Sequence, residues 1–521
     1  MAEPFYITTA ISYPNGRPHI GHASEANAAD VIARFQRAQG RDVRFQTGTD
    51  EHGLKMVQAA REAGLEPRKY TKQMSSVFQE MCDVLEVKYD RFIRTSGPDH
   101  YRASQAIWTS MEEKGDLYLG RYEGWYSVRD EAFYDESELT LVDGGGDGGE
   151  KLSPQGSPVE WTAEESWFFK LSAYQQKLLD HYEANPQFIQ PDSRRNEVLR
   201  FVEGGLSDLS ISRTSFDWGV PAPGHPGHVM YVWLDALTNY LTGLGYPDNS
   251  ELFQRYWPAD VHLIGKDVVR FHAVYWPAFL MSAGIALPKM VYGHGFLLSS
   301  GEKMSKSVGN VVDPFVLADR FGVDPLRYFL LREVQFGQDG SYSPEAIVNR
   351  VNAELANSFG NLAQRTLTLI ERNVTEPLPW GGQQEIEDAE LQALVADTCR
   401  RIVPREFEAF AFSQGLEAWL RAVFACNQYI TRLEPWALKK TNPDRMKAVL
   451  ATLFVCIRDL AITVRPVIPS SADRLLDMMG VPKGERNYTD LENVEWYKQL
   501  AEKPSPIFPR LELEEEGAAA Q

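Results

Sequence analysis

Cysteine is scarce in this chain. Its 521 residues include four, Cys82, Cys399, Cys426 and Cys456, and none falls at the short spacing of a paired motif. That excludes a disulfide framework and a thiolate metal knuckle. Long apolar runs are missing too. None reaches the roughly 18–20 residues of a membrane span, and no basic segment followed by an apolar one opens the chain. A cytoplasmic protein without a membrane partner is the expectation. Positive charge is also short: Lys and Arg number 53 against 72 Asp and Glu, for a net charge of −19. A chain that gripped nucleic acid chiefly through nonspecific phosphate contact would be basic. An acidic one must use local basic patches and specific contacts, and its acidity equally serves solubility.

What is present is ordinary in bulk and organised in sequence. Hydrophobic content of 43% and charged content of 24% suit a globular protein, and the length exceeds one core, predicting about two to four domains. The apolar run Phe5–Ile11 precedes an amphipathic stretch, Ser24–Gln39, that ends at Gly40. Then come Asp42–Thr47, helical spacing through Val77, Met81 and Leu85, a short strand Arg91–Arg94, and a helix around Trp108. Alternating strand and helix predict a parallel sheet with helical crossovers: an α/β, doubly wound parallel-sheet domain of Rossmann type, HUP-like. From Tyr118 aromatic residues stand among polar ones, and Asp143–Gly149 is an acidic glycine tract that reads as a flexible loop. Sheet signals resume at Val261–Gly265, continue with a helix through Phe271, Tyr275 and Phe279, and return at Met290–His294. After Asp324-Pro325, long amphipathic stretches cover Pro344–Arg372, Asp388–Phe407, Ser413–Leu433 and Asp444–Val464. They predict an all-α bundle with a loop at Pro377–Gly382.

Two loops carry the chemistry. Pro18-His19-Ile20-Gly21-His22 joins the first strand to the first helix. Backbone N–H groups and the helix dipole make such a turn an anion site, and Gly21 lets a ligand approach the backbone. Lys303-Met304-Ser305-Lys306-Ser307, with Gly301 nearby, places two lysines and two serines where they could hold a polyphosphate. Ligands of open α/β sheets bind at the carboxyl ends of strands, so the two loops are expected to converge. Taken singly, a His pair reads as structural and a Lys/Ser loop as a solvated turn. Together, in this order, they point to nucleotide chemistry.

The two loops resemble the HIGH and KMSKS signatures of class I aminoacyl-tRNA synthetases, the second letter for letter. The segments Ala10–Gly16, Thr49–Gly53, Trp233-Leu234-Asp235-Ala236 and Ile264-Gly265-Lys266-Asp267 narrow the resemblance to the methionyl-tRNA synthetase family, over nearly the whole chain. It implies ATP-dependent attachment of L-methionine to methionine tRNA, initiator and elongator, through methionyl-adenylate, with Mg²⁺ accompanying ATP. By position, His19, His22, Lys303 and Lys306 would be catalytic, and Tyr13, Pro18, Gly21, Met304, Ser305 and Ser307 would join them around ATP. Asp50 would hold the α-amino group. Ala10, Ile11, Tyr13, Trp233, Ala236, Leu237, Tyr240, Val268, His272 and Trp276 would line the side-chain pocket. Such an aromatic cage suits a polarisable thioether. Leu237 stands where the family often has proline. Asn361 and Arg365, four apart on one helical face, and Trp436, a stacking surface, match the anticodon-reading positions.

The resemblance implies a domain order: 1–117 and 225–290 as halves of the catalytic domain, 118–224 as an α+β connective insertion, and 291–343 as the KMSKS-loop and linker region. Residues 344–510 would form the helical anticodon-binding domain, and 511–521 a frayed tail. Many relatives carry Cys-x-x-Cys zinc knuckles in the insertion. Here the matching stretches read Trp125–Asp130 and Leu152–Gly156 without thiolates, so no structural zinc is expected. The chain ends soon after the helical region, which suggests a monomer. Rivals remain open at this level. The branched-chain synthetases are disfavoured by an insertion shorter than a hydrolytic editing domain, and the cysteine enzyme by missing zinc ligands. An RNA-independent adenylating enzyme is disfavoured by the helical C-terminal half, and a non-catalytic scaffold by the intact histidines and lysines.

Overall fold

The computed structural model describes residues 2–130, 132–141, 151–299, 311–375, 384–492 and 500–513. The acidic glycine tract, the Pro377–Gly382 loop and the segment 303–307 therefore lie outside the described residues.

The first half follows the predicted alternation: β1 (Pro4–Thr9), α1 (Ile20–Ala38), β2 (Asp42–Thr49), α2 (Leu54–Glu62), α3 (Pro67–Val84), β3 (Arg91–Arg94), α4 (Pro98–Glu113) and β4 (Leu117–Ser127). The central sheet has six strands, ordered β3, β2, β1, Val261–Gly265, Val291–His294 and Ile189–Gln190, all paired in parallel. Chain order reverses between β1 and Val261–Gly265. That is the switch point, where the crevice beyond the strand ends takes ligands.

Three details differ from the sequence reading. Helix α1 begins at Ile20, not Ser24, because His19 and His22 cap it: His19 Nδ1 accepts the Gly21 N–H at 3.0 Å and His22 Nδ1 accepts the His19 N–H at 3.1 Å. Imidazoles are not among the usual capping residues, so the start was hidden. The edge strand Ile189–Gln190 comes from inside the insertion, too short to leave a pattern. Leu511, assigned to the tail, is buried and exchanges two hydrogen bonds with the Asn352 side chain, both 2.8 Å.

The insertion is α+β. The antiparallel ladder between β4 and strand Glu160–Phe169 is followed by two helices, Gln175–Ala184 and Asp192–Glu203, which pack on each other, the second also on the edge strand Ile189–Gln190. The C-terminal region is helical, with Asn361–Asn373, Phe412–Leu433 and Pro443–Val464 as its long members. Its core is continuous with that of the sheet. Phe35 of α1 meets Phe407 and Tyr488 edge-on at 5.7 and 5.5 Å. No described helix is long and apolar enough to cross a membrane.

Candidate active site

The switch point opens into a cavity of about 350 Å³. β1 stops at Thr9 because the next residues turn across its end: Ala10 N–H reaches Leu263 O at 3.0 Å and Ser12 N–H reaches Gly48 O at 2.9 Å. Ala10, Ile11 and Tyr13 thereby face the cavity from one side. Helix Val232–Thr242 brings Trp233, Ala236, Leu237 and Tyr240 from another, at the i, i+3, i+4, i+7 spacing of one helical face. Val268 and His272 close the third side, and Asp50, buried, enters from the end of β2.

Trp276 is the exception among the expected pocket residues. It is fully buried behind the wall, edge-on to Tyr240 at 6.1 Å, with its indole N–H donating to His262 Nε2 at 3.3 Å. Sequence reasoning missed Phe271, which lines the cavity and stacks on Trp233 at 3.8 Å and 6°. A five-residue π turn, Phe271–Tyr275, displaces the helical register by which these residues could have been placed.

The aromatic walls themselves carry no charge; Lys55, whose Nζ lies 5.0 Å from the Tyr13 ring centre, lines the same cavity. Burial pushes the His272 pKa down to about 4. Its Nδ1–H donates to Val268 O at 2.9 Å and its Nε2 accepts the Tyr240 hydroxyl at 2.6 Å. His262, stacked on Tyr240 at 4.0 Å, is pushed well below its usual range, again by burial first. Neutral aromatic walls favour an apolar, polarisable side chain over a charged one.

The far end of the same cavity is polar. His19, Gly21 and His22 line it beside Ser24, Glu25, His294, Gly295, Phe296 and Leu297, with Gly265 and Asp267 on the flank. Pro18 is buried and does not line the cavity. Reciprocal capping occupies Nδ1 of both imidazoles, so in each neutral ring the proton sits on Nε2, the nitrogen suited to donate to a ligand. The rings lie 3.9 Å apart. A Cβ at Gly21 would come within 2.8 Å of the His19 ring, so glycine is required for this His19 conformation as well as for ligand approach. The Glu25 and His294 side chains meet at 2.8 Å and tie α1 to the turn after Val291–His294. Sequence reasoning singled out the histidine turn at this end but not Glu25 or His294. The rule that ligands sit beyond strand termini was the available signal.

Lys303, Met304, Ser305, Lys306 and Ser307 lie outside the described residues. Their flanks meet the histidine turn from both directions. Phe296 and Leu297 line the cavity, and Val312 O accepts the Ile20 N–H at 3.0 Å. Arg17 adds a contact to Asp313 at 3.7 Å and lies over the Phe315 ring.

A second surface gathers the three remaining residues. Asn361 is exposed at the start of its helix, and the Arg365 guanidinium lies 5.4 Å from the centre of the Trp436 ring, itself 42% exposed. Glu434 adopts a left-handed φ of 45°, an uncommon conformation for a non-glycine residue. It turns the chain sharply into Pro435-Trp436.

With this geometry in place, known proteins match along the whole chain. The family described as tRNA synthetases class I (M) matches residues 5–367, and the anticodon binding domain of methionyl tRNA ligase matches residues 378–504. The methionine–tRNA ligase of Brucella suis is 55% identical over 514 residues, 98% of each chain. That of Mycobacterium tuberculosis strain H37Rv is 53% identical, again over 98% of each. The chain belongs to the methionyl-tRNA synthetases.

That membership establishes the reaction: ATP-dependent ligation of methionine to tRNA by way of methionyl-adenylate. The structure of M. tuberculosis methionyl-tRNA synthetase in complex with methionyl-adenylate superposes with a TM-score of 0.94 at 53% identity, covering 98% of this chain and 100% of that one. The apo form of the same enzyme gives 0.88 at 49% identity, covering 99% of each.

Where relatives in the resemblance carry a zinc knuckle, hydroxyls converge on a carboxylate. Asp130 accepts from Ser157 at 2.6 Å, Ser153 at 2.5 Å and Tyr134 at 3.1 Å, while its own N–H donates to Ser127 Oγ at 3.2 Å. Ser127, Ser153 and Ser157 are buried. Among the described residues no group of three or more His, Cys, Asp or Glu could hold a metal ion. One carboxylate and four hydroxyls do not fit tetrahedral zinc.

Proposed function

We propose the following division of labour within the cavity. Asp50 pairs with the α-amino group of methionine, while Ala10, Ile11, Tyr13, Trp233, Ala236, Leu237, Tyr240, Val268, His272 and Phe271 enclose its side chain. The carboxylate then points toward the polar end, where one of its oxygens bonds to the α-phosphorus of ATP. The bond from that phosphorus to the bridging oxygen breaks, and diphosphate leaves with the electron pair. No covalent enzyme intermediate is needed, so the enzyme contributes positioning and charge stabilisation. His19 and His22 donate through Nε2–H as negative charge grows on the phosphates. Lys303 and Lys306 supply cations on the diphosphate side, with Met304, Ser305 and Ser307 completing that loop. Mg²⁺ enters with ATP, as its substrate complex. In the second step a ribose hydroxyl of the tRNA end attacks the activated carbonyl and AMP departs.

The observation that supports this most is that an uncharged aromatic cage and a paired-imidazole helix start open into one continuous cavity. Methionine-dependent exchange of diphosphate into ATP, run with each of the twenty amino acids, tests it. Exchange with methionine alone is expected; exchange with leucine, or with none, would defeat the assignment.

Asn361, Arg365 and Trp436 are proposed to read the methionine anticodon, by edge hydrogen bonds and stacking. Trp436→Ala is expected to lower tRNA charging by about tenfold or more, from ~1–3 kcal/mol of lost stacking. ATP–diphosphate exchange should stay within about twofold, because the side chain touches nothing in the cavity. Equal loss of both activities would count against a separate anticodon surface. We further propose a cytoplasmic monomer that charges initiator and elongator tRNAs and whose insertion folds without zinc. Elemental analysis of the purified protein should find no stoichiometric zinc, and finding it would overturn the last point.

A further inference from the structure

Asp235 sits on helix Val232–Thr242 among the residues that line the cavity, but it faces the other way. It is completely buried and does not line the pocket. Burial alone would push its pKa up; two imidazoles overcome that and hold it at about 2. His52 Nδ1–H donates to one carboxylate oxygen at 2.6 Å, and His100 Nε2–H donates to the other at 2.7 Å.

The two histidines are matched in burial and in bond length, and they lead to different places. His100 runs back into the scaffold, with Nδ1 at 2.9 Å from Thr242 Oγ1 on the same helix as Asp235. His52 belongs to the loop that carries Asp50. Its carbonyl accepts the Tyr13 hydroxyl at 2.5 Å, and Tyr13 lines the cavity. The other side of that loop is pinned as firmly. Glu51 takes Arg94 at 2.6 Å and Ser75 at 2.5 Å, and its carbonyl accepts the Trp218 indole N–H at 2.6 Å. The loop is thus fastened to β3 through Glu51 and to the pocket helix through His52.

We propose that Asp235 is a positioning residue: through His52 it fixes the distance between the Asp50 loop and the aromatic face of helix Val232–Thr242, and so sets the length of side chain the cavity accepts. This rests on the reading of Asp50 as partner of the amino group. With that group held on one body and the side chain caged on another, a rigid strut between them converts an apolar pocket into a ruler. An apolar wall by itself discriminates weakly between homologues one methylene apart. A fixed origin adds to that discrimination because a longer side chain cannot shift back to make room.

The experiment compares L-methionine with L-ethionine, one methylene longer, in ATP–diphosphate exchange. His52→Gln should raise the KM for methionine about tenfold and cut the methionine-to-ethionine ratio of kcat/KM by a similar factor, the usual size of effect for a supporting residue. The KM for ATP should stay within about twofold, since the polar end is untouched. Asp235→Asn should follow His52→Gln. His100→Gln breaks an equally buried bond to the same carboxylate; it should lower the thermal midpoint and leave the ratio within about twofold. Two milder variants cover the case in which a buried substitution does not fold. Tyr13→Phe should lower the ratio as His52→Gln does, and Thr242→Val should not. An unchanged ratio in His52→Gln and Tyr13→Phe, or an equal fall in the His100 and Thr242 variants, would overturn the proposal. Wild-type protein that fails to exchange with methionine would instead bring down the assignment of Asp50 and, with it, the strut's purpose.

Discussion

His22→Ala is expected to lower kcat for methionine-dependent ATP–diphosphate exchange by ~10²–10³, the size found when one preorganised donor to a developing charge is removed. His22 is held in place by its own helix start, with Nδ1 on the His19 N–H at 3.1 Å and its ring edge-on to Phe78 at 5.1 Å. That arrangement puts the proton of its neutral ring on Nε2, on a side chain that lines the cavity. The KM for methionine should change by less than about threefold, because the aromatic cage is not touched. Alanine also removes a helix cap, for which about 1 kcal/mol of stability is the ordinary cost. His22→Asn separates the two effects, since its amide oxygen can still accept from the His19 N–H. Stability should recover and the rate should not. A loss in kcat smaller than about tenfold, or ~1.4 kcal/mol, would remove His22 from the phosphate-binding set.

Arg327→Met is expected to produce the largest loss of stability, ~3–5 kcal/mol, because it removes one cation of a buried pair together with the donor to three buried carbonyls. The Arg327 side chain is fully buried. Its guanidinium donates to Asp30 at 2.6 Å, to Leu85 O and Val467 O at 3.0 Å, and to Pro466 O at 3.1 Å. One side chain thereby joins α1, the end of α3 and the connection that follows helix Pro443–Val464. Methionine fills similar volume and satisfies none of these acceptors, so three carbonyls and a carboxylate lose a donor inside the protein. Arg327→Lys should rescue little, since a single ammonium cannot reproduce the planar fork. Adding Asp30→Leu to Arg327→Met should recover little, because Arg34 still pairs with Asp30 at 2.6 Å and the Lys88 N–H still donates to it at 2.8 Å, so no lone charge is left to remove. The denaturation midpoint of the purified variants reads all three. A midpoint unchanged in Arg327→Met would mean that the helical region and the sheet domain are not joined here.

The sequence made the sheet domain legible because most of its strands carry apolar residues in short runs or in alternation and its helices are amphipathic, so local pattern and final position agree. Arg91–Arg94 and Val261–Gly265 fall where their residues predict. Pattern failed where a structure is made by something other than burial. The start of α1 depends on imidazole capping, Phe271 on a π turn, and Ile189–Gln190 on an edge made available by another domain. Trp276 shows the opposite error. Its residue type and spacing suit a pocket wall, but it is spent on orienting His262 behind that wall.

The residues themselves pointed to the class of chemistry, since two histidines beside a glycine at a helix start, together with a lysine–serine loop, suit a phosphate. They also determined the absence of thiolate ligands in the insertion. Folding alone decided which of the candidate aromatics line the cavity, that Asp50 and the cage belong to one cavity, and that His52 is braced by Asp235 on a helix far along the chain. The reason is range. Capping, amphipathic spacing and strand pattern act over a few residues, whereas the distance between two walls of a pocket is set by contacts separated by hundreds.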